Sequence, residues 1–408
     1  MLIGVPREIK ADEYRVGMTP TTVRELSTKG HRVLVEGAAG VGAGISDQEY
    51  IAAGAEIVAG AEQIFPRAEL IVKVKEPLRS ERKQMQAAVS LLLGVAIGLG
   101  VTLPAHAYMA YVSNEKGNTI TVIDTDKLQA VRTIKVGQRP RGIELTKDGN
   151  FVLVAVGDDD TIQMIDTKSG EVVSTLPSGA DPELFTQDPT GNLLYVANEN
   201  DNTVTVIDMP KRARLGEVQV GVEPEGMGIS PDGKTLVATS ETTNMAHFID
   251  VDTRKIVANV LVDARPRFAA FKPDGSELWV SSEVGGTVSV IDPHTHQVTK
   301  KITFAIPGLR SEAIQPVGIS ITRDGKTAFV ALGPANRVAV IDTNTHEVTK
   351  YLLVGQRVWH MAFTPDEKYL LTTNGLSNDV SVIDVANLKV IRTIQVGELP
   401  WGVAISQR

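Results

Sequence analysis

The chain has 408 residues, 42% of them hydrophobic and 22% charged, with a formal net charge of −8. This composition is typical of a soluble globular protein. The acidic balance excludes a nucleic-acid partner, which would need a basic face. The absence of cysteine excludes disulfides, thiolate catalysis and cysteine-ligated zinc.

Residues 1–84 alternate strand and helix patterns. The strands are the apolar runs LIGVP, HRVLVE and ELIVKVKEP, and the first helix is TPTTVRELSTKG, from Thr19 to Gly30. This order predicts an α/β fragment. The run GAAGVGAG suggests a dinucleotide-binding loop, but Ile45 stands where that motif needs a glycine. The fragment is therefore predicted to have no NAD site.

Three stretches of this fragment, MLIGVPREIKADEYRVGMTP, GHRVLVE and IVKVKEPL, resemble the beginning of alanine dehydrogenase and the related transhydrogenase N-terminal domain. The resemblance implies that Arg15 and Lys75 are a carboxylate-binding pair, which in that family holds pyruvate. The family's Rossmann domain and catalytic residues do not follow in this chain. We therefore expect a truncated fragment with a vestigial site, inactive as an NAD-dependent alanine dehydrogenase.

Residues 85–107 have the pattern of an export signal. The uncharged run AAVSLLLGVAIGLGVTL follows three basic residues and precedes Ala105-His106-Ala107, an A-x-A cleavage pattern. The pattern predicts a signal-peptide-like helix that exports the following residues to the periplasm. The alternatives are an uncleaved anchor, which would be the chain's contact with the membrane and leave the N-terminal fragment cytoplasmic, and a buried core helix.

From residue 108 onward one unit recurs seven times. Its "ID" pairs end in aspartates spaced 42 residues apart, with one step of 50: Asp124, Asp166, Asp208, Asp250, Asp292, Asp342 and Asp384. Each unit contains four strand-like runs separated by turns such as Pro231-Asp232-Gly233. The period predicts that residues 108–408 form an all-β seven-bladed propeller with four-stranded blades. We expect the aspartates to bind turn N–H groups, and the final strand to close the ring against the first.

The candidate binding site lies on one rim, called here the top rim, where the first strand of each unit begins. Departures from the repeat collect there, and the eight extra residues of the long unit enter it. Aromatic and paired charged residues in loops are typical of a binding site. The predicted residues are Arg139, Arg141, Glu183, Glu225, Arg267, Arg357, Trp359 and Trp401. We predict no catalytic or metal site, because no hydrolase or zinc motif is present.

The repeats VANENDNTVTVID and VSNEKGNTITVID resemble the YVTN family of propeller repeats. SETTNMAHFID, KKITFAIPG and YLLVGQRVW are similar to a seven-repeat propeller associated with alcohol catabolism dependent on pyrroloquinoline quinone (PQQ). This resemblance implies a periplasmic accessory protein without a cofactor of its own. Its partner would be a quinoprotein dehydrogenase, a transport component or a small molecule. The alternatives are a propeller enzyme of quinoprotein or lactonase type, and the alanine dehydrogenase activity of the N-terminal resemblance.

Overall fold

The computed structural model describes residues 1–9, 14–74, 90–93 and 108–406, the backbone alone for 90–93. The chain divides into two compact units, Met1–Ala105 and His106–Arg408. Among the described residues, no helix is both long and apolar enough to cross a membrane.

The first unit is a parallel α/β sheet. Its strand order is β3-β2-β1-β4-β5, with every pairing parallel. Short 3₁₀ helices cover Val41–Ala43 and Ala61–Gln63. In chain order the main elements are β1 (Leu2–Val5), α1 (Pro20–Thr28), β2 (Arg32–Glu36), α2 (Asp47–Ala52), β3 (Glu56–Val58), β4 (Leu70–Lys73) and β5 (Ser90–Leu93).

The helix α1 lies where the sequence predicts it. Thr19 is its N-cap residue and Pro20 its first residue, a position where proline's missing N–H group is not needed. Val23 of this helix is buried in one core with Val33, Val35 and Tyr50, and the Tyr50 hydroxyl donates to the Met18 carbonyl at 2.6 Å. The prediction of an α/β fragment is confirmed.

The expectation of a signal-peptide-like helix is wrong for four of its residues. Ser90–Leu93 form the strand β5, which pairs in parallel with β4 from Leu70 to Lys73. An apolar run without polar periodicity fits a strand in a parallel sheet as well as a helix, so the sequence did not separate the two. The remaining residues of the expected signal, 85–89 and 94–107, lie outside the described residues.

The second unit is a propeller of seven antiparallel four-stranded sheets. Blades 1 to 6 follow one another along the chain, and blade 7 combines the first three strands of the unit with the last. Those first three strands are β6 (Met109–Asn114), β7 (Thr119–Asp124) and β8 (Gln129–Lys135).

The strands of blades 1 to 3 have nearly uniform lengths. They are β9 (Pro140–Leu145), β10 (Phe151–Val156), β11 (Thr161–Asp166) and β12 (Val172–Pro177); β13 (Pro182–Gln187), β14 (Leu193–Asn198), β15 (Thr203–Asp208) and β16 (Ala213–Gln219); and β17 (Pro224–Ile229), β18 (Thr235–Ser240), β19 (Met245–Asp250) and β20 (Lys255–Leu261).

Blades 4 to 6 repeat this plan. Short 3₁₀ turns lie at Gly157–Asp159 in blade 1 and at Ser311–Ala313 before blade 5. The strands of blades 4 to 6 are β21 (Pro266–Phe271), β22 (Leu278–Ser282), β23 (Thr287–Asp292) and β24 (Gln297–Thr303); β25 (Ile319–Ile321), β26 (Thr327–Ala331), β27 (Arg337–Asp342) and β28 (Glu347–Leu353); and β29 (Val358–Phe363), β30 (Tyr369–Asn374), β31 (Asp379–Asp384) and β32 (Lys389–Gln395).

The C-terminal strand closes the ring, as the sequence predicts. This strand, β33 (Pro400–Ile405), is the innermost strand of blade 7 and pairs antiparallel with β6, with Val403 opposite Val112. The Met109 N–H group donates to the Ser406 hydroxyl at 2.8 Å. Closure covers the inner edge of β6, which would otherwise be unpaired.

The structural role predicted for the seven aspartates is also confirmed. Each carboxylate accepts a hydrogen bond from a backbone N–H group two or three residues further along, as Asp292 does from His294 and Thr295 at 2.8 and 3.2 Å. The other six make the same kind of contact: Asp124, Asp166, Asp208, Asp250, Asp342 and Asp384. The apolar core lies between neighbouring blades, where side chains of β-strands from both sheets are buried.

Candidate functional site on the propeller axis

One position of each blade places a side chain at the top rim of the central channel. It is the second residue of the innermost strand, or in blade 5 the equivalent residue just before β25. We call this set the axial ring. In blade order its members are Arg141, Glu183, Glu225, Arg267, Val317, Trp359 and Trp401.

The turns of the repeat set the position of this ring. In blade 7 the turn between the second and third strands places Asn118 in the left-handed conformation, with φ of 49°. Its side-chain oxygen accepts the N–H group of Arg139 at 3.0 Å, just before the innermost strand of the next blade. The same contact recurs at Asp181, Glu223, Arg265, Arg357 and Leu399.

The one blade junction without this contact is the one that carries the eight extra residues. There Gly286, which has no side chain, replaces the asparagine. The longer loop supplies Gln315, whose side-chain oxygen accepts a hydrogen bond from Arg357 at 2.7 Å. The insertion thus contributes a polar contact to the rim in place of the repeated turn contact.

Two charged clusters occupy the ring. In the first, the Arg141 cluster, Arg141 donates to Glu183 at 2.6 Å and to Glu115 at 2.9 and 3.0 Å. Arg139 lies 3.2 Å from the same Glu183 oxygen and also pairs with Asp158 and Asp181. Glu183 is fully buried, so its charge is compensated by arginines rather than by solvent.

In the second cluster, the Arg267 cluster, Arg267 contacts three glutamates, two from blade 3 and one from its own blade 4. It pairs with Glu225 at 3.2 Å, with Glu241, and with Glu283 at 3.7 Å. These four residues are each 5% exposed or less. Arg357 also donates to Glu283, at 2.6 Å, and Arg265 to Glu241, at 2.7 Å.

Aromatic side chains close the ring between the two clusters. The guanidinium of Arg357 lies 4.2 Å from the centre of the Trp359 ring, and that of Arg141 lies 5.8 Å from the Trp401 ring. The His360 ring lies 4.2 Å from that of Trp401 and 5.5 Å from that of Phe268. Cation–π pairs of this kind stabilise a desolvated arginine by about 0.5–2 kcal/mol.

A cavity of about 190 Å³ lies directly beneath the ring, on the propeller axis. Residues from the innermost strands of all seven blades line it. Most of the lining is apolar, and His360, Trp401 and Glu144 are its main polar members. The Glu144 carboxylate accepts a hydrogen bond from Gln187 at 3.0 Å, and burial raises its pKa to about 6.

The charges shift one another's ionisation. Burial, followed by the positive charges of Arg267 and Arg141, lowers the pKa of His360 to about 3, so this imidazole is neutral at neutral pH. Burial, together with the hydrogen bond to Glu183 and that residue's charge, raises the pKa of Glu199 to about 7. Burial also raises the pKa of Glu225 well above its ordinary value.

One grouping at the rim has the composition of a metal site, although the sequence predicts none. Oxygen atoms of Asp181, Glu183 and Glu199 lie within 4.8 Å of one another. Arg139 and Arg141 already compensate the first two of these carboxylates, which lowers the attraction for a divalent cation.

The eight residues predicted on the propeller all lie in the axial ring or its two clusters. His360 and Glu144, which face the cavity, are absent from the predicted set. From blade to blade, the third residue of the innermost strand alternates between glycine and a residue with a larger side chain. This pattern could have pointed to His360: Gly142, Leu184, Gly226, Phe268, Gly318, His360 and Gly402. A Cβ atom on Gly142 would lie 2.2 Å from the Glu183 carbonyl oxygen, so glycine permits neighbouring strands to approach closely.

The carboxylate-binding pair predicted in the first unit, Arg15 and Lys75, stays a prediction. Arg15 is an exposed residue between β1 and α1, and Lys75 lies outside the described residues. A different lysine, Lys73, is buried there and pairs with Glu8 at 3.5 Å.

Comparisons with known proteins agree with this division of the chain. Residues 4–136 match the N-terminal domain of alanine dehydrogenase/PNT, residues 109–224 match the lactonase seven-bladed β-propeller, and residues 203–387 match the choice-of-anchor I domain. The chain therefore joins a segment similar to the N-terminal domain of alanine dehydrogenase/PNT to a seven-bladed propeller, part of which is similar to the lactonase propeller. Residues 109–136, which two of the matches share, form blade 7 strands in the structure.

Individual relatives cover one unit or the other. The chain is 57% identical over 81 residues to alanine dehydrogenase of Methanococcus maripaludis, covering 20% of this chain and 22% of that enzyme. It is 42% identical over 125 residues to alanine dehydrogenase of Bacillus subtilis, 31% of each chain. Kuenenia stuttgartiensis hydrazine synthase shares the fold at 21% identity and a TM-score of 0.62, over 72% of this chain and 99% of that chain.

Proposed function

We propose that the propeller is a non-catalytic binding module whose axial ring recognises a small molecule or a partner protein. The observation that carries this proposal is the ring itself. One position of a monotonous repeat bears two arginines, two glutamates and two tryptophans around the channel mouth, whereas the bottom turns keep their repeated sequence. Buried charged clusters contribute little net stability on their own, so their concentration at one opening fits recognition better than folding.

The setting proposed for this binding is the periplasm, as an accessory to PQQ-dependent alcohol oxidation. The support is the resemblance of the propeller motifs to that associated family, together with the export-signal pattern in the sequence of residues 85–107, of which Ser90–Leu93 form a strand. A quinoprotein dehydrogenase, a transport component or a small molecule of that pathway is the proposed partner, and the protein needs no cofactor of its own for this role.

A second candidate, lactone hydrolysis, is favoured by the match of residues 109–224 to the lactonase propeller. Such an enzyme needs a general base poised near neutral pH. His360 faces the cavity, but with its pKa lowered to about 3 it is a weak base. Glu144 also lines the cavity and its pKa is raised to about 6, but its carboxylate accepts a hydrogen bond from the Gln187 amide. We therefore place binding first and hydrolysis second.

The test replaces Arg141 with glutamine and measures capture of periplasmic proteins and metabolites by the purified chain. We expect Arg141→Gln to weaken binding at least tenfold, because a charged hydrogen-bonding group contributes about 1.5–3 kcal/mol. The matched control is Arg392→Gln, an exposed arginine on β32 far along the blade from the axis. Unchanged binding by a folded Arg141→Gln protein would refute the axial site. Lactone hydrolysis that depends on Arg141 would favour the second candidate.

A further inference from the structure

Several buried side-chain atoms at the axial ring have no hydrogen-bond partner among the residues that the structure describes. They include both carboxylate oxygens of Glu225, Nε1 of Trp401 and Nε2 of His360, besides Oε2 of Glu183, Nε of Arg267 and Nε1 of Trp359. Glu225, Trp401 and His360 are 1%, 1% and 6% exposed, and the last two line the cavity. A buried polar group without a partner is costly, by about 1–3 kcal/mol, so a ligand that pairs with these atoms gains that energy.

The unpaired Glu225 oxygens and the unpaired Trp401 N–H group belong to blades on opposite sides of the axis. Glu225 belongs to blade 3 and Trp401 to blade 7, and residues three blades apart in a closed ring of seven lie on opposite sides of the axis. Arg141 lies over the Trp401 ring, so a ligand carboxylate at that N–H group would also lie near a guanidinium. Arg267 lies 3.2 Å from Oε1 of Glu225, which leaves Oε2 for a cationic group of the ligand, and that group would favour the ionised carboxylate.

The cavity below has the size and lining for an apolar group. Phe185, Met227, Phe268, Met361 and Val403 face it, and its volume is about 190 Å³. An apolar cavity of about 150 Å³ is large enough to bind benzene. The space therefore fits a side chain of the size of leucine or phenylalanine.

We propose that the axial site binds a free α-amino acid with an apolar side chain, in its zwitterionic form. Its ammonium group donates to Glu225, its carboxylate accepts from Nε1 of Trp401 beside Arg141, and its side chain enters the cavity. This inference rests on the proposed function and adds the class of ligand to it.

The test is calorimetric titration of the full chain with leucine and three analogues, each of which lacks one recognised group. Isopentylamine lacks the carboxylate, 4-methylpentanoate lacks the ammonium group, and glycine lacks the side chain. We expect leucine to bind and each analogue to bind at least tenfold more weakly. Equal affinity for 4-methylpentanoate, or no binding of leucine or phenylalanine at millimolar concentration, would overturn the proposal.

Two variants test the assigned orientation. Glu225→Gln removes the carboxylate charge, and Trp401→Phe keeps an aromatic ring but removes the N–H donor. We expect each to weaken leucine binding tenfold or more. Glu347→Gln, at an exposed position on β28, is the matched control and should bind as the unchanged protein does. Unaltered leucine affinity in a folded Trp401→Phe protein contradicts the assigned orientation, even if Glu225→Gln fails to fold.

The two proposals fail in different ways. If a single-charge analogue or a partner protein binds in an Arg141-dependent manner while amino acids do not, the axial ring is still a binding site and only the amino-acid assignment is wrong. If leucine binds equally well to Arg141→Gln, Glu225→Gln and Trp401→Phe proteins, it binds elsewhere and the amino-acid assignment is wrong; the proposed function is refuted only if capture by Arg141→Gln is unchanged as well.

Discussion

At the scale of single residues, the choice between glutamate and glycine shapes the rim. The residue after the second strand is glutamate in four blades, and three of these glutamates, Glu115, Glu241 and Glu283, pair with arginines of the rim. The equivalent residue of the other three blades is glycine, at Gly157, Gly333 and Gly375, and each glycine makes room for a larger neighbour. A Cβ atom on Gly157 would lie 2.5 Å from the guanidinium of Arg139, and one on Gly375 would lie 2.6 Å from Nε1 of Trp359. The positions of Arg139 and Trp359 therefore depend on glycine at these neighbouring residues.

The residue scale also predicts a dependence of stability on pH. The folded chain raises the pKa of Glu199 to about 7 from an ordinary value of 4.5, so folding is favoured when this carboxyl is protonated. Its contribution is full below pH 4.5 and is lost as the pH rises through 7. We expect the melting temperature to fall between pH 6.5 and 8.5, and to fall less in Glu199→Gln.

The melting experiment stays between pH 6.5 and 8.5 so that the titration of His360 does not contribute to it. The lowered pKa of His360, about 3, acts with the opposite sign, because the unfolded chain takes up a proton below pH 6.5. Glu225, whose pKa is also raised, acts in the same direction as Glu199, so the variant should reduce the slope without abolishing it. A slope as steep in Glu199→Gln as in the unchanged protein would contradict the assignment.

At the scale of elements, the strand β33 holds the ring together. It covers the inner edge of β6 and buries Trp401, which is 1% exposed. The Thr373 hydroxyl of blade 6 donates to the Trp401 carbonyl at 2.6 Å, and the Arg141 carbonyl of blade 1 accepts from Ser113 at 2.6 Å. Blade 7 thus connects to both neighbours through the same seam.

Deletion of residues 400–408 should open this seam. Losing a buried tryptophan alone costs about 3–5 kcal/mol, and 1 kcal/mol shifts the melting temperature of a large domain by about 2–4 °C. We expect a fall of about 10 °C or more in circular dichroism melting. Deletion of residues 407–408, beyond the strand, is the control. A truncated protein that melts with the unchanged one would show that closure does not depend on β33.

At the scale of the whole molecule, the chain combines a parallel α/β unit with a closed propeller ring. The segments that match curated alanine dehydrogenases span 22% and 31% of those enzymes. The first unit is a parallel sheet, and the propeller follows it in the chain. Any activity of the whole enzymes is therefore a matter for experiment.

We expect no reduction of NAD when the purified full chain is incubated with alanine. The sequence lacks the spacing of glycines that binds a dinucleotide phosphate, and the family's hydride-transfer domain does not follow its first segment. The measurement is the absorbance of reduced nicotinamide, with an authentic alanine dehydrogenase as the positive control. Alanine-dependent reduction by this chain would show that the first unit forms a working site.

The sequence alone determined the architecture of the propeller, because a repeat fixes structure locally. Each turn satisfies its own backbone through an aspartate such as Asp292, and a period of 42 residues repeats one four-stranded sheet. Ring closure followed from incomplete units at the two ends. Six of the seven residues of the axial ring were among the predicted residues, since they depart from the repeat at one shared position, and their role in binding stays a prediction.

Only the tertiary structure decided which of those residues meet and what lies beneath them. The contacts of Arg267 with Glu225 and Glu241 of the preceding blade, and the convergence of His360 and Trp401 with residues of the other five blades on one cavity, join positions far apart in the chain. The apolar run at Ser90–Leu93 forms a strand because it pairs in parallel with β4. Pairing across blades and sheets depends on which surfaces meet in space, and local sequence carries no record of that.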